Sequence, residues 1–152
     1  MLRKAKISDV KDIHKMINES AIRGEMLPRS LMELYGYLRD YFVYCPDDGS
    51  TVVGVCAMHI FWENLAEVRS LFVLPEYRRR GIATKLVEAC VSDAITLDLY
   101  RVFTLTNQEH FFKRIGFVDV EKTALPEKIW TECIKCPKYP DYCDEIPLII
   151  EP

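Results

Sequence analysis

The stretch SLFVLPEYRRRGIATKL, residues 70–86, decides how the rest of the chain is read. Its first half is an apolar strand that stops at Pro75, because proline cannot donate to a sheet ladder. A basic turn of Arg78, Arg79 and Arg80 follows, and Gly81 opens a helix. The helix carries its apolar residues at Ile82, Ala83, Leu86, Val87, Ala89, Cys90, Val91 and Ala94, a stripe made to face a sheet. The first backbone N–H groups of a helix have no intrahelical acceptor and lie at the positive end of its dipole, so a phosphate is stabilised there. Glycine at position 81 lets an anion approach the main chain closely, and the small Ala83 keeps the same face open. The three arginines add forked donors for further phosphate oxygens. Strand, turn and helix together read as a pyrophosphate cradle.

Working outward, residues 2–7 alternate like a strand, and Ser8 and Asp9 offer an N-cap to a helix with apolar positions Val10, Ile13, Met16 and Ile17. Ser30 and Glu33 have capping-box spacing for a second helix ending near residue 40. Residues 41–45 and 51–61 are rich in β-formers and flank Pro46, Asp47, Asp48, Gly49 and Ser50, which is hairpin chemistry. Residues 66–74 form the central strand, interrupted by Glu67, Arg69 and Ser70. Beyond the cradle helix come a strand at 100–106, a short helix at 108–115, a strand from 116 to 120 and, at 145–151, one last edge strand. This order implies an α/β fold with a mixed central sheet of six to seven strands and helices on both faces. Residues 1–152 read as one domain, with 123–152 a less regular, cysteine-containing tail.

The 152 residues are 49% hydrophobic, enough for one substantial core, and the net charge of -3 argues against a long nucleic-acid partner. No apolar run approaches a membrane span and the first residues lack a secretory core, so a cytoplasmic protein with no membrane partner is expected. Cys45, Cys56 and Cys90 lie in apolar stretches and read as core thiols. Cys133, Cys136 and Cys143 resemble part of a zinc site that needs Asp141, Asp144 or a partner subunit for its fourth ligand; free thiols are favoured over zinc.

Arg78, Gly81 and Ala83 match the arginine/glutamine, any, any, glycine, any, glycine/alanine signature, and the chain thereby resembles the GNAT superfamily of N-acetyltransferases. The likeness covers residues 2–120. It implies that acetyl-CoA is the co-substrate, that the main chain of Leu71, Phe72 and Val73 pairs with pantetheine, and that the pyrophosphate sits on Arg79, Arg80, Gly81, Ile82, Ala83 and Thr84. A homodimer joined through C-terminal strands is a further implication. FWENLAEVRSLFV, LTNQEHFFKRIGF, Arg29-Ser30 and Leu125-Pro126 are similar to the glutamate-acetylating N-acetylglutamate synthase branch, in the short form without an amino-acid-kinase domain. By that resemblance Glu67 is the carboxylate that deprotonates the amine, directly or through water. Arg29 binds a substrate carboxylate, and Lys135 is a further cation.

Many superfamily members carry a tyrosine four residues before the glycine of the last motif, where it protonates the leaving thiolate. Here that position is Phe112. The acid must be another group, water or nothing, since a thiolate of pKa near ~8.5 is a tolerable leaving group. The oxyanion is expected at a backbone N–H near Phe72 or Val73. Two other readings stay open: a GNAT enzyme acting on a peptide N-terminus, polyamine or drug, and a non-catalytic acyl-CoA-binding sensor.

Overall fold

The computed structural model describes residues 1–46, 51–126 and 145–152. In chain order the elements are β1 (Leu2–Lys4), α1 (Val10–Ile22), α2 (Leu31–Gly36), β2 (Tyr41–Tyr44), β3 (Gly54–Trp62), β4 (Leu65–Val73), α3 (Ile82–Thr96), β5 (Val102–Thr106), α4 (Glu109–Arg114), β6 (Val118–Asp119) and β7 (Ile146–Ile150). The strands form one seven-stranded sheet in the order β1-β2-β3-β4-β5-β7-β6. Every neighbouring pair is antiparallel except β4 and β5, whose parallel pairing needs a crossover, and α3 supplies it. The expected sheet is therefore present, and α1 with α2 covers one face while α3 with α4 covers the other.

Each face has its own core. Ile82, Leu86, Val87, Cys90 and Ala94 bring α3 onto Cys56, Met58, Ala66 and Val68, with Phe112 and Phe117 completing that layer. On the opposite side Val10, Ile13, Met16 and Ile17 of α1 and Leu34 of α2 meet Val43, Val55, Ala57 and Phe72. Cys45, Cys56 and Cys90 are buried free thiols, as their apolar settings imply. A hydrogen bond with Cys56 and full burial push the Cys90 thiol well above its ordinary value, so it stays protonated.

The capping box forms as read: Glu33 N–H donates to Ser30 Oγ at 3.1 Å, and Ser30 N–H donates to Glu33 Oε1 at 3.3 Å. The N-terminus of α1 differs. Asp9 does not cap that helix; its carboxylate accepts the Lys6 N–H at 2.7 Å and both arms of the Arg3 guanidinium at 2.7 and 3.0 Å. Burial alone would raise the Asp9 carboxyl, but the Arg3 and Lys6 hydrogen bonds and the Arg3 charge hold it below its usual value. Its stabilisation is thus present above the unfolded carboxyl pKa of about 3.9 and is lost as pH falls through the lower folded value. Asp9→Asn should cost about 1.5–3 kcal/mol at pH 7, the worth of hydrogen bonds to a charged group. The gap from wild type should narrow in urea melts as the pH is taken below about 3.9.

The final strand also departs from expectation. β7 is not an edge strand but lies between β5 and β6, paired to Val102–Thr106 along its length, and the two-residue β6 takes the edge. IPLII is apolar on both of its faces, which suits a strand with neighbours on either side.

Candidate active site

The sheet opens beside β4. β4 and β5 pair only at Ala66↔Val102 and Glu67↔Phe103, and Thr104 Oγ1 then donates to the Val68 carbonyl at 2.9 Å. Beyond this point the parallel strands part. The cause lies in β4 itself, where the ladder with β3 jumps from Ala57↔Arg69 to Val55↔Phe72 and Ser70 takes a left-handed φ of 58°. Two residues of β3 are thereby opposed by three of β4, a bulge that bends the strand. It also reverses side-chain parity. Before it, Ala66 and Val68 point to α3 while Glu67 and Arg69 point to the α1 side; after it, Leu71 and Val73 pack toward α3 and Phe72 toward α1.

Main-chain groups follow the same alternation. Leu74 N–H bonds to Val53 O at 2.9 Å, so the N–H and C=O of Val73 turn away from β3 into the gap, and those of Leu71 do likewise. Phe72, opposite Val55, directs its main chain back to β3. All three residues expected to pair with pantetheine line the groove; Leu71 and Val73 turn their N–H groups to the free edge, the Val73 carbonyl being taken by Arg78, while Phe72 keeps its main chain on β3 and also packs in the core.

At the end of β4 the three arginines separate in role. Arg78 Nε donates to the Val73 carbonyl at 2.9 Å and its guanidinium lies 5.6 Å from the Phe72 ring centroid, tying the turn to the strand. Arg79 has φ 65° and Gly81, the N-cap of α3, has φ 77°, so the chain is left-handed on both sides of Arg80. Left-handed backbone costs a residue such as arginine about 1–2 kcal/mol, strain of the kind held at ligand sites. The first hydrogen bond of α3 runs from Lys85 N–H to Gly81 O, which leaves the preceding N–H groups directed outward. Arg78, Arg79, Gly81, Ile82, Ala83 and Thr84 line a groove of about 720 Å³ with Leu71 and Val73. Arg80 is exposed, 5.1 Å from the Tyr77 ring centroid, and does not line it.

A second cavity, about 130 Å³, adjoins the groove, and the two share Glu25, Met26, Leu71, Asn107 and Gln108. Arg29, Glu67 and Arg69 lie in its wall. Arg29 directly precedes the α2 cap, and its main chain is clamped by Asn18 of α1, whose Nδ2 donates to Arg29 O at 2.9 Å. The guanidinium is 9% exposed, with Nη1 3.5 Å from Glu33 Oε2. Glu67 is 6% exposed, and its Oε1 lies 3.5 Å from Arg69 Nη1. The wall also holds Glu25 and Glu145, so cations and carboxylates face one small volume. Phe112 is buried, stacked edge-on against Phe111 and Phe117, and offers no hydroxyl.

Two residues that sequence reading does not assign to the pocket support it. Arg69 adds a second fork beside Arg29, and its signal was the two-residue spacing from Glu67 on one strand face. Tyr41 is buried and hydrogen-bonded to the Ser70 side chain at the bulge. Burial raises its phenol above the ordinary value although the Arg29 and Arg69 charges pull it down, so it remains protonated. Lys135 and the cysteines at 133, 136 and 143 lie outside the described residues. Among the described residues no cluster of His, Cys, Asp or Glu could hold a metal ion, and no helix is long and apolar enough to cross a membrane.

A strand splayed by a bulge, followed by a turn and a helix N-terminus that line one groove, agrees with comparison to known proteins: the family model described as Acetyltransferase (GNAT) family matches residues 10–117. The chain belongs to the GNAT acetyltransferase family. It is an acetyl-CoA-dependent N-acetyltransferase, and the expected GNAT fold is the one observed. The chain is 38% identical over 148 residues to an uncharacterized N-acetyltransferase of Chlorobaculum tepidum, covering 97% of this chain and 94% of that one. It is 33% identical over 133 residues to an amino-acid acetyltransferase of Mycobacterium tuberculosis, covering 87% of this chain and 76% of the relative. Among solved structures, Rv2747 from Mycobacterium tuberculosis in complex with CoA and NLQ superposes with a TM-score of 0.86 at 27% identity, over 100% of this chain and 99% of that one. N-acetylglutamate synthase from Neisseria gonorrhoeae, complexed with CoA and N-acetyl-glutamate, shares the fold with a TM-score of 0.87 at 20% identity, over 99% of this GNAT chain and 34% of the synthase.

Proposed function

We propose that this enzyme transfers acetyl from acetyl-CoA to the α-amine of L-glutamate, the N-acetylglutamate synthase reaction that opens arginine biosynthesis. The observation that carries this reading is the small cavity beside the cofactor groove, in which the carboxylate of Glu67 stands with Arg29 and Arg69. An amino acid brings an ammonium and a carboxylate, and glutamate brings a second carboxylate. The wall answers each with an opposite charge, and guanidinium forks match carboxylates bidentately. The similarity to an amino-acid acetyltransferase supports the acceptor class.

In the reaction Glu67 takes a proton from the substrate ammonium, and the freed amine attacks the thioester held against β4. The N–H groups of Leu71 and Val73 at the strand's free edge are the candidates for meeting the oxyanion. On collapse the nitrogen gives up its second proton, which the departing CoA thiolate takes up directly or through water, so no tyrosine acid is required. Residues 1–152 work as one domain in this scheme, and Lys135 is proposed as a further contact to the acceptor. A homodimer is the proposed assembly.

A thiol-release assay with acetyl-CoA against glutamate, glutamine, aspartate, a polyamine and a peptide tests the reading. Glutamate should give the highest kcat/KM; a preference for the polyamine or peptide rejects the acidic pocket. Arg29→Ala should raise KM for glutamate about 10- to 100-fold, the loss of a charge-assisted pair, while KM for acetyl-CoA stays near wild type. An unchanged glutamate KM removes Arg29 from the pocket.

A further inference from the structure

Glu67, once protonated, needs a route for its proton that does not pass back through the acceptor. The cavity side of the carboxylate is where both substrates bind, and the side chain is otherwise buried. Across the β3–β4 ladder from Glu67 stands a histidine. His59 on β3 is the direct antiparallel partner of Glu67 on β4, so the two side chains project to the same face of the sheet, with Cβ atoms about 4.5–5.5 Å apart. His59 Nδ1 lies 2.7 Å from Asp40 Oδ2, and the ring is held edge-on by Tyr37 at 5.1 Å and Phe61 at 5.2 Å. A carboxylate at that distance places the proton of the neutral imidazole on Nδ1 and leaves the Nε2 lone pair as a base. The side chains of His59 and Asp40 are 21% and 22% exposed against 7% for that of Glu67, so the line from Glu67 through His59 to Asp40 runs from the interior toward water.

We propose that the His59–Asp40 pair is the proton exit of the active site, with His59 a positioning residue that acts through Glu67. The inference rests on the reading of Glu67 as the base. One proton moves from the substrate ammonium to the Glu67 carboxylate, then to His59 Nε2, forming an imidazolium stabilised by Asp40, and finally to water. No other bond or electron changes place. Among the described residues, the charged and titratable groups near His59 are Glu67 in register, Arg69 next along the same face of β4, Asp40 at Nδ1, Tyr37 against the ring, and Tyr41 beside it through the pairing of β2 with Ala57.

The test measures kcat and both KM values against pH for wild type, His59→Gln and Asp40→Asn, using whichever amine the wild type acetylates best. His59→Gln should lower kcat at least about tenfold, below the full ~100-fold of a direct proton-transfer group, with both KM values little changed. Small buffer bases should restore part of the loss. Asp40→Asn keeps an oxygen for Nδ1–H but removes the charge that steadies the imidazolium, so the acidic limb of kcat should move to lower pH. A profile unchanged in both variants, or a kcat loss matched by lost melting temperature and insensitive to buffer, overturns the proposal.

The protein has three histidines, so nitrogen-15 NMR of the rings reads the same contact without turnover. His59 should be the Nδ1–H tautomer with Nε2 unprotonated, and its ring nitrogen shifts should change in Glu67→Gln; indifference to that substitution also overturns the proposal. Failure of the wild type to acetylate any amine rejects the acceptor reading and the exit with it. A working wild type with an unaltered His59→Gln profile rejects the exit alone.

Discussion

Glutamine in place of Glu67 is expected to lower kcat by about 100-fold or more, the contribution typical of a general base placed at the reacting proton. The amide keeps the shape of the carboxylate and an oxygen for Arg69 Nη1, 3.5 Å away in the wild type, but it cannot accept a proton from an ammonium. Because the base acts after both substrates are bound, KM for acetyl-CoA should hold while kcat falls and its rise with pH flattens. Loss of a carboxylate beside buried arginines also unbalances charge in the wall, so the melting temperature must be followed together with the rate. A kcat within a few-fold of wild type, in a folded Glu67→Gln protein, would leave Glu67 as the ion-pair partner of Arg69 and nothing more.

The second large effect is expected at Gly81. A Cβ built there meets no protein atom within 4 Å, so valine would not collide with the fold. Two other penalties apply. The φ of 77° is left-handed, which costs a side-chain-bearing residue about 1–2 kcal/mol. The added methyl groups would also stand over the N–H groups of α3 that face the groove. Losing one or two charge-assisted hydrogen bonds to a pyrophosphate corresponds to about a 10- to 100-fold rise in KM for acetyl-CoA. Gly81→Val should do this with KM for the acceptor nearly unchanged. If stability falls while the acetyl-CoA KM does not move, the turn is only a helix start.

Much of this architecture is legible in residues 70–86 because strand, breaker, basic turn and helix stripe are local signals. The α1 and α3 stripes, the Ser30–Glu33 box and the strands around residues 47–50 are equally local, and each is found where its spacing puts it. The place of β7 is not local: no feature of IPLII says which strands will flank it, although its apolar run on both faces argues against an edge. Asp9 illustrates competition for one side chain, since Arg3 and the Lys6 N–H claim the carboxylate before α1 can use it. In the candidate site Arg29 and Glu67 were reached through family resemblance, whereas Arg69 and Tyr41 join only once β2, β3 and β4 are in register. His59 and Asp40 meet for the same reason: a ladder brings together residues whose sequence separation carries no pattern.

The bulge at Ser70 divides β4 into two stretches of opposite parity, the first sending Glu67 and Arg69 to one side of the sheet and the second presenting Leu71 and Val73 to the cofactor groove. Substitutions in the first stretch can therefore alter which amine is accepted without redrawing the surface that holds the acyl donor. A chain built this way can diversify in substrate while its donor chemistry stays constant, and selection for a new acceptor would be expected to leave its first marks at Arg29 and Arg69.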